Sequence, residues 1–418
     1  MNSFMLAQLA WRNLWRQRRR TLLTLASIVF GAFLTIMMTA MQDKSFADFI
    51  DNAARMGSGH VAIQHPEYRD TPTLTRTVTQ TDEKRSVAAA DPAAQRTVER
   101  ATGQAMVSTA SDSFGAFFIA YDPALETPDT FVFAESIAEG KPFDSASDKG
   151  IILGKNLAHN LGAELGDKVV FTLTDRKGEI VTGMERLTGI VSTGAPSVDG
   201  GLCLLPIGTL RGLVGYDAHE ATQVAVFLKD GRQSIAAAGR IDAKTGDDVA
   251  VLTWDEVQPE IRAFVAAKVG GSQIMQFIVA LLVAAGIFNT LFMSVLERSR
   301  EFGIMLALGY SARQLFAMVM FESGFLAIMG VVGAIAVTAW PYTYLADHGI
   351  DLTEVYASQG MDSFEISGVG MSPILRIGIF PENALFIAGA IVCATMLAGV
   401  YPAWKAGRVN PVESINQA

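Results

Sequence analysis

Four long stretches almost without charge dominate this chain. Residues 21–41, 269–296 and 383–404 carry no charged side chain, and residues 314–346 carry one, Glu322. A hydrocarbon core of about 30 Å takes roughly 20 residues of helix, so each stretch is long enough to cross a bilayer. One such run could be the buried helix of a soluble protein, but four cannot all be explained that way. They predict an α-helical membrane protein with transmembrane helices at 21–43, 269–296, 314–346 and 383–404. Between the first and second lies a large mixed α/β domain, residues 44–268.

Charge placement sets the expected orientation. Residues 1–20, the segment 297–313 and the tail 405–418 together hold ten basic residues, among them Arg12, Arg16, Arg18, Arg19, Arg20, Arg298, Arg300 and Arg313. The same segments hold three acids, Glu297, Glu301 and Glu413. The large domain has 22 basic and 31 acidic residues, and the loop 347–382 is also acidic. Basic flanks stay cytoplasmic, so both termini are expected inside, and the domain and loop outside. An acidic outer domain argues against a nucleic-acid partner. The first span is longer than a signal-peptide core and lacks a small-residue cleavage pattern, so it reads as an uncleaved anchor. Cys203 falls outside and Cys393 in the fourth span, so no disulfide is expected.

Residues 1–20 read as an interfacial helix on the inner membrane surface. Phe4, Ala7, Trp11, Leu14 and Trp15 make one apolar stripe, while Met5, Leu6 and Leu9 fall off it. In the outer domain, 59–64, 114–121 and 222–228 read as strands, and 155–165 as a short helix. Strands 168–174 and 179–191 flank the polar turn Asp175-Arg176-Lys177-Gly178, a hairpin pattern. Residues 254–268 read as one helix leading into the second span. Two subdomains suit the length, the strand-rich one near 145–215.

The search for chemistry returns negatives. Gly150 to Asn156 superficially resembles a phosphate-binding loop, but it is one residue short between glycines and has asparagine where the magnesium ligand belongs. His60 and His65, five apart in a strand-like run, would face opposite sides of a sheet. No catalytic residue, metal site or cofactor site is predicted in this chain.

The segment Glu297-Arg-Ser-Arg-Glu-Phe-Gly-Ile-Met-Leu-Ala-Leu-Gly-Tyr-Ser-Ala-Arg-Gln-Leu-Phe316 says most about function. Phe302, Met305 and Leu306 have helical spacing behind a charged start. Gly309 is placed to stop the helix, and Ser311 with Gln314 has the spacing of a capping box that opens the third span. A short, separately capped helix joining two spans is suited to act as a cytoplasmic lever; a plain hairpin connector is the simpler alternative.

This segment resembles the E-R-x-R-E-x-G-x-x-x-A-L-G signature of the FtsX-like permeases in the MacB and LolC/LolE superfamily of ABC transporters. Tyr401-Pro-Ala-Trp-Lys-Ala-Gly-Arg-Val-Asn-Pro-Val-Glu413 is similar to that family's P-A-x-x-A-x-x-x-x-P-x-E ending. The resemblance implies an ATPase-coupling role for Glu297, Arg298, Arg300, Glu301, Phe302, Gly303, Leu308 and Gly309. It also implies a bacterial inner-membrane permease with a periplasmic domain and a second permease beside it, either a copy or a relative. Two copies of a separate ABC ATPase would hold the ATP and magnesium, since only about 20 residues precede the first span. Lipoprotein release from the inner membrane is the role expected first, with activation of a periplasmic cell-wall hydrolase and peptide or drug efflux through a periplasmic adaptor as the alternatives, and a periplasmic cargo or chaperone as further partner.

Glu322 is costly inside a membrane, on the order of 2.5–3.5 kcal/mol, so it needs a partner or water. Either it reaches headgroups or Arg313 near the surface, or it makes an interhelical bond that positions the spans. Gly31, Gly286, Gly324, Gly330, Gly333, Gly389 and Gly399 suggest close helix packing.

Overall fold

The computed structural model describes residues 3–16, 18–358, 364–366 and 369–409. The chain forms two compact units: Met1–Ser45 with Ala266–Ile350 and Leu375–Ala418, and Phe46–Val265 with Asp351–Ile374.

The first unit holds the apolar helices. Helix α1 is Ser3–Arg16, α2 is Arg18–Met56, α3 is Pro259–Glu297, α4 is Ser299–Ala307, α5 is Ala312–His348 and α6 is Pro381–Ala406. By length and composition α2, α3, α5 and α6 can each cross a membrane. Ile28, Ile287, Leu291, Leu326 and Ala398 pack together at their centre. A side chain on Gly330 would strike Ile28, one on Gly31 would strike Val283, and one on Gly399 would strike Ser323. Such contacts need glycine because dispersion between close backbones drives helix association in lipid. Gly286 and Gly389 depart from the expectation, since a Cβ there would meet nothing within 4 Å.

The α1 helix also departs from its expected single stripe. Leu6, Ala10 and Leu14 are buried, and Leu9 packs with the cluster containing Phe302 and Met318. The expected stripe residues Phe4, Trp11 and Trp15 are instead exposed. This helix therefore has two apolar faces: Leu6 and Leu9, which fell off the stripe, meet the bundle together with the stripe member Leu14, while Met5 is exposed.

The second unit is built on a ten-stranded sheet. Its strands are β1 Val61–Gln64, β2 Ala94–Ser108, β3 Ser113–Tyr121, β4 Ile137–Gly140, β5 Ile151–Gly154, β6 Lys168–Thr174, β7 Ile180–Val191, β8 Leu202–Pro206, β9 Gln223–Leu228 and β10 Ala250–Thr253. The order is β10-β1-β9-β2-β3-β8-β5-β7-β4, with β6 pairing both β2 and β7. One sheet thus runs through both regions expected as subdomains. Separate apolar clusters lie on it, one around Val61, Ile63, Val224 and Val226, another around Phe118, Leu153, Phe171 and Leu205. The expected hairpin is β6–β7, running in register from Lys168–Arg186 to Thr174–Ile180, with Gly178 at φ 83° in the turn.

Two expected helices are shorter than their patterns. The one at 155–165 is Lys155–Asn160, followed by positive-φ Gly162 and Gly166. The one at 254–268 is a capped turn, Trp254–Val257, broken at Gln258 before α3 starts on Pro259. A residue before proline is pushed out of the helical region, and Gln258 has φ −124° and ψ 74°. The loop resembling a phosphate cradle is β5, a fully buried strand, followed directly by a helix.

The outer-domain portions of α2 and α3 attach to neighbouring strands. Chain leaving α2 enters β1, and chain leaving β10 leads to α3; β1 and β10 pair antiparallel from Val61–Thr253 to Gln64–Ala250. Arg100, fully buried on β2, donates to the Gly57 carbonyl just beyond α2 and to the Thr130 carbonyl at 2.7 Å. Its charge is met by Glu126 through bonds of 2.7 and 3.1 Å, and Phe131 and Phe227 lie under the guanidinium at 4.8 and 5.5 Å. His60 adds a second fastening. Its Nδ1 accepts from the Leu228 amide at 3.1 Å, which leaves Nε2–H to donate to Asp51 at 2.8 Å. His65 instead caps its own turn, accepting from the Glu67 amide at 3.2 Å.

Candidate functional site: the segment joining α3 and α5

Arg298 breaks the helix between α3 and α4, with φ −101° and ψ 13°. Gly309, at φ 97°, ends α4, with the Tyr310 amide bonded back to the Met305 carbonyl at 3.0 Å. A left-handed residue at this point costs glycine nothing, whereas a Cβ would be strained. Ser311 then caps α5: its hydroxyl accepts from the Gln314 amide at 3.3 Å, while its own amide donates to the Gln314 side chain at 2.8 Å. The nine-residue helix α4 is therefore punctuated at both ends.

The inward side of this segment is an ion-pair network. Arg298, almost wholly buried, donates to both Glu322 oxygens at 3.0 and 3.2 Å and to Glu301 at 3.2 Å. Glu322 is 5% exposed and also accepts from Asn13 of α1 at 3.1 Å. Arg16 of α1 pairs with Glu301 at 2.8 Å. Arg20 pairs with Glu297 at 2.7 Å and also donates to the Thr290 carbonyl. The partner of Glu322 is thus Arg298, not Arg313, which is exposed. A buried carboxylate in a membrane must be matched in this way, and the match ties α1, α4 and α5 together.

The eight residues expected to couple to an ATPase divide by face. Phe302 is fully buried among Ala10, Val295, Leu315, Met318, Val319, Ala403 and Ala406, with the Arg298 guanidinium 5.2 Å from its ring. Gly303 is buried beside it. Arg298 and Glu301 are held in the network above. These residues are turned toward the bundle. The exposed set is Glu297, Arg300, Leu308 and Gly309, joined by Ile304 and Ala307. Ile304 was not singled out from sequence, although it lies four residues from both Arg300 and Leu308, a spacing that shares one helical face.

The tail motif meets the same cluster. Pro402, Ala403 and Ala406 are buried, and Ala403 and Ala406 touch the group around Phe302. Two motifs far apart in sequence form one packing unit. Asn410, Pro411, Val412 and Glu413 lie outside the described residues.

Nothing among the described residues groups three or more metal-binding side chains. Cys203 is buried in the sheet and burial pushes its thiol well above the usual range, which makes it inert.

Four membrane helices, an α/β domain between the first two and a short capped helix between the second and third define a permease-type membrane protein. The sequence profile of the MacB-like periplasmic core domain matches residues 21–244, and that of the FtsX-like permease C-terminal region matches residues 274–411. The chain belongs to the FtsX-like permeases of the MacB and LolC/LolE superfamily of ABC transporters.

Among individual relatives, the lipoprotein-releasing system transmembrane protein LolC of Xylella fastidiosa strain 9a5c is 24% identical over 277 residues, covering 63% of this chain and 64% of that protein. The macrolide export ATP-binding/permease protein MacB of Rhodospirillum rubrum is 24% identical over 441 residues, covering 98% of this chain and 60% of that protein. The chain thus spans just under two thirds of the length of these relatives. The solved periplasmic region of MacB from Actinobacillus actinomycetemcomitans aligns with 14% identity and a TM-score of 0.35, over 51% of this chain and 97% of that one.

Proposed function

We propose that this chain is a permease subunit that passes ATP-driven motion from a separate cytoplasmic ABC ATPase to its periplasmic domain. The observation that carries this is the two-sided character of α4. One side is locked by Arg298, Glu301 and Phe302, and the other presents Arg300, Ile304, Ala307 and Leu308, with Leu308 76% exposed. An exposed apolar face on a locked helix suits docking, because a force applied to it reaches α3 and α5 rather than being lost in a loose connector. ATP and magnesium belong to the ATPase in this scheme, and both termini lie on its side of the bacterial inner membrane.

Lipoprotein release is the cargo reading we favour, supported by the likeness to the lipoprotein-releasing protein. Export of a peptide or drug is the second reading, favoured by the near-complete alignment to a macrolide exporter. In either case hydrophilic cargo does not pass between these spans. Polar paths through membranes are marked by ionisable groups facing water, and Glu322 is instead buried against Arg298. An apolar lipid anchor could still enter between helices.

The test is recovery of an ABC ATPase with the tagged full chain from mild detergent. Ile304→Asp with Leu308→Asp is expected to lower that recovery about tenfold or more, since central apolar contacts dominate interface energies. Amide exchange of the α/β domain should not change. Unaltered ATPase recovery would contradict docking at this face. Mass spectrometry of copurified material separates the cargo readings: acylated protein supports the first, and its absence beside a periplasmic adaptor supports the second.

A further inference from the structure

We propose that the outward face of α1 is a binding site for anionic phospholipid. Helix α1 presents Phe4, Gln8, Trp11 and Trp15 along one line of helical spacing, with Phe4 71% and Trp11 42% exposed. Trp11 and Trp15 stand edge to face at 6.0 Å, and Trp11 also meets Phe325 of α5 at 5.3 Å. The tryptophan pair is therefore braced from behind and open in front. Arg12 and Arg16 lie one position further round the helix, and Arg18 and Arg19 open α2; all four are exposed. Arg16 is engaged with Glu301. Arg12, Arg18 and Arg19 have no acidic partner among the described residues.

Indole rings beside unpaired arginines match the boundary between acyl chains and charged headgroups. Each arginine near a surface strengthens attraction to anionic lipid, and phosphate is a geometric match for guanidinium. A second copy of this chain would bring the same arginines against these and be repelled. The site also has a route inward, because Asn13 and Arg16 of the same helix hold Glu322 and Glu301.

The test uses the full chain in nanodiscs, with Trp254, Trp340 and Trp404 replaced by phenylalanine so that Trp11 and Trp15 report. Brominated phosphatidylglycerol should quench them at a several-fold lower mole fraction than brominated phosphatidylcholine. Arg12→Gln with Arg18→Gln and Arg19→Gln should abolish that preference while leaving quenching by both lipids. Both leaflets have the same composition, so the result does not depend on which way the chain is oriented or on any ATPase. Native mass spectrometry of the unsubstituted chain gives a second measure, in which phosphatidylglycerol should be retained over phosphatidylcholine and the arginine variant should lose that bias. Equal quenching by both lipids with no retained bias overturns the proposal. Absence of quenching by either also overturns it and assigns the face to a protein partner.

Discussion

Replacing Arg100 with methionine is expected to destabilise the α/β domain by about 3–5 kcal/mol, the usual cost of removing one member of a buried ion pair. Methionine fills similar space, so the loss comes from the charge. Glu126, whose side chain is 3% exposed, would be left buried without its partner. The carbonyls of Gly57 and Thr130 would each lose a donor. Arg100→Met with Glu126→Leu should regain much of the loss, because the unmatched carboxylate is gone. Amide exchange across Ala94–Ser108 and Gln223–Leu228 in the full chain reads both. A change below about 1 kcal/mol, or a double variant no better than the single, would remove Arg100 from this role. The consequence reaches function through Gly57, since Arg100 holds the carbonyl at which α2 ends to the sheet.

The second large effect is expected at Glu322. Glu322→Leu leaves the Arg298 guanidinium buried, with only Glu301 to answer it, and should cost on the order of 3 kcal/mol in the membrane unit. Glu322→Gln keeps the shape and two hydrogen-bonding atoms and should be mild. Removing both charges, as Arg298→Leu with Glu322→Leu, should be better tolerated than either single change. Thermal unfolding of the purified chain measures this directly. A structural role alone would leave a surviving variant fully able to respond to an ATPase. The positioning role predicts that Glu322→Leu, when folded, binds the ATPase with its hydrolysis no longer stimulated. Equal tolerance of leucine and glutamine would end the argument for the pair.

The membrane part was legible because its signal is length without charge, which few alternatives can imitate. Helix α4 was legible for a different reason: Gly309 and the Ser311–Gln314 pair are local devices that act within a few residues. What the sequence could not convey is which way that helix turns. Phe302 and Leu308 look alike as apolar letters, and only packing places one in the bundle and the other outside. The same limit hid β2, which carries the charged residues Arg96, Glu99 and Arg100. Glu99 and Arg100 are buried because Arg211 and Glu126 reach them from distant parts of the chain. Sheet order was illegible as well, since it depends on pairings such as β3 with β8 that no local pattern announces. In α1 the misleading feature was the single stripe, which joins the exposed Phe4, Trp11 and Trp15 to the buried Leu14.

Transmission of motion is the central claim, and a distance measurement tests it most directly. Spin labels at Arg313→Cys and Ile180→Cys, both exposed in the native chain, report on the start of α5 beside α4 and on the β6–β7 hairpin, with Cys203 and Cys393 replaced by serine. In the complex reconstituted with its ATPase, addition of ATP should shift the distance distribution between the labels, and Glu322→Leu should abolish the shift while ATPase binding persists. An unchanged distribution in a complex that hydrolyses ATP would contradict the account.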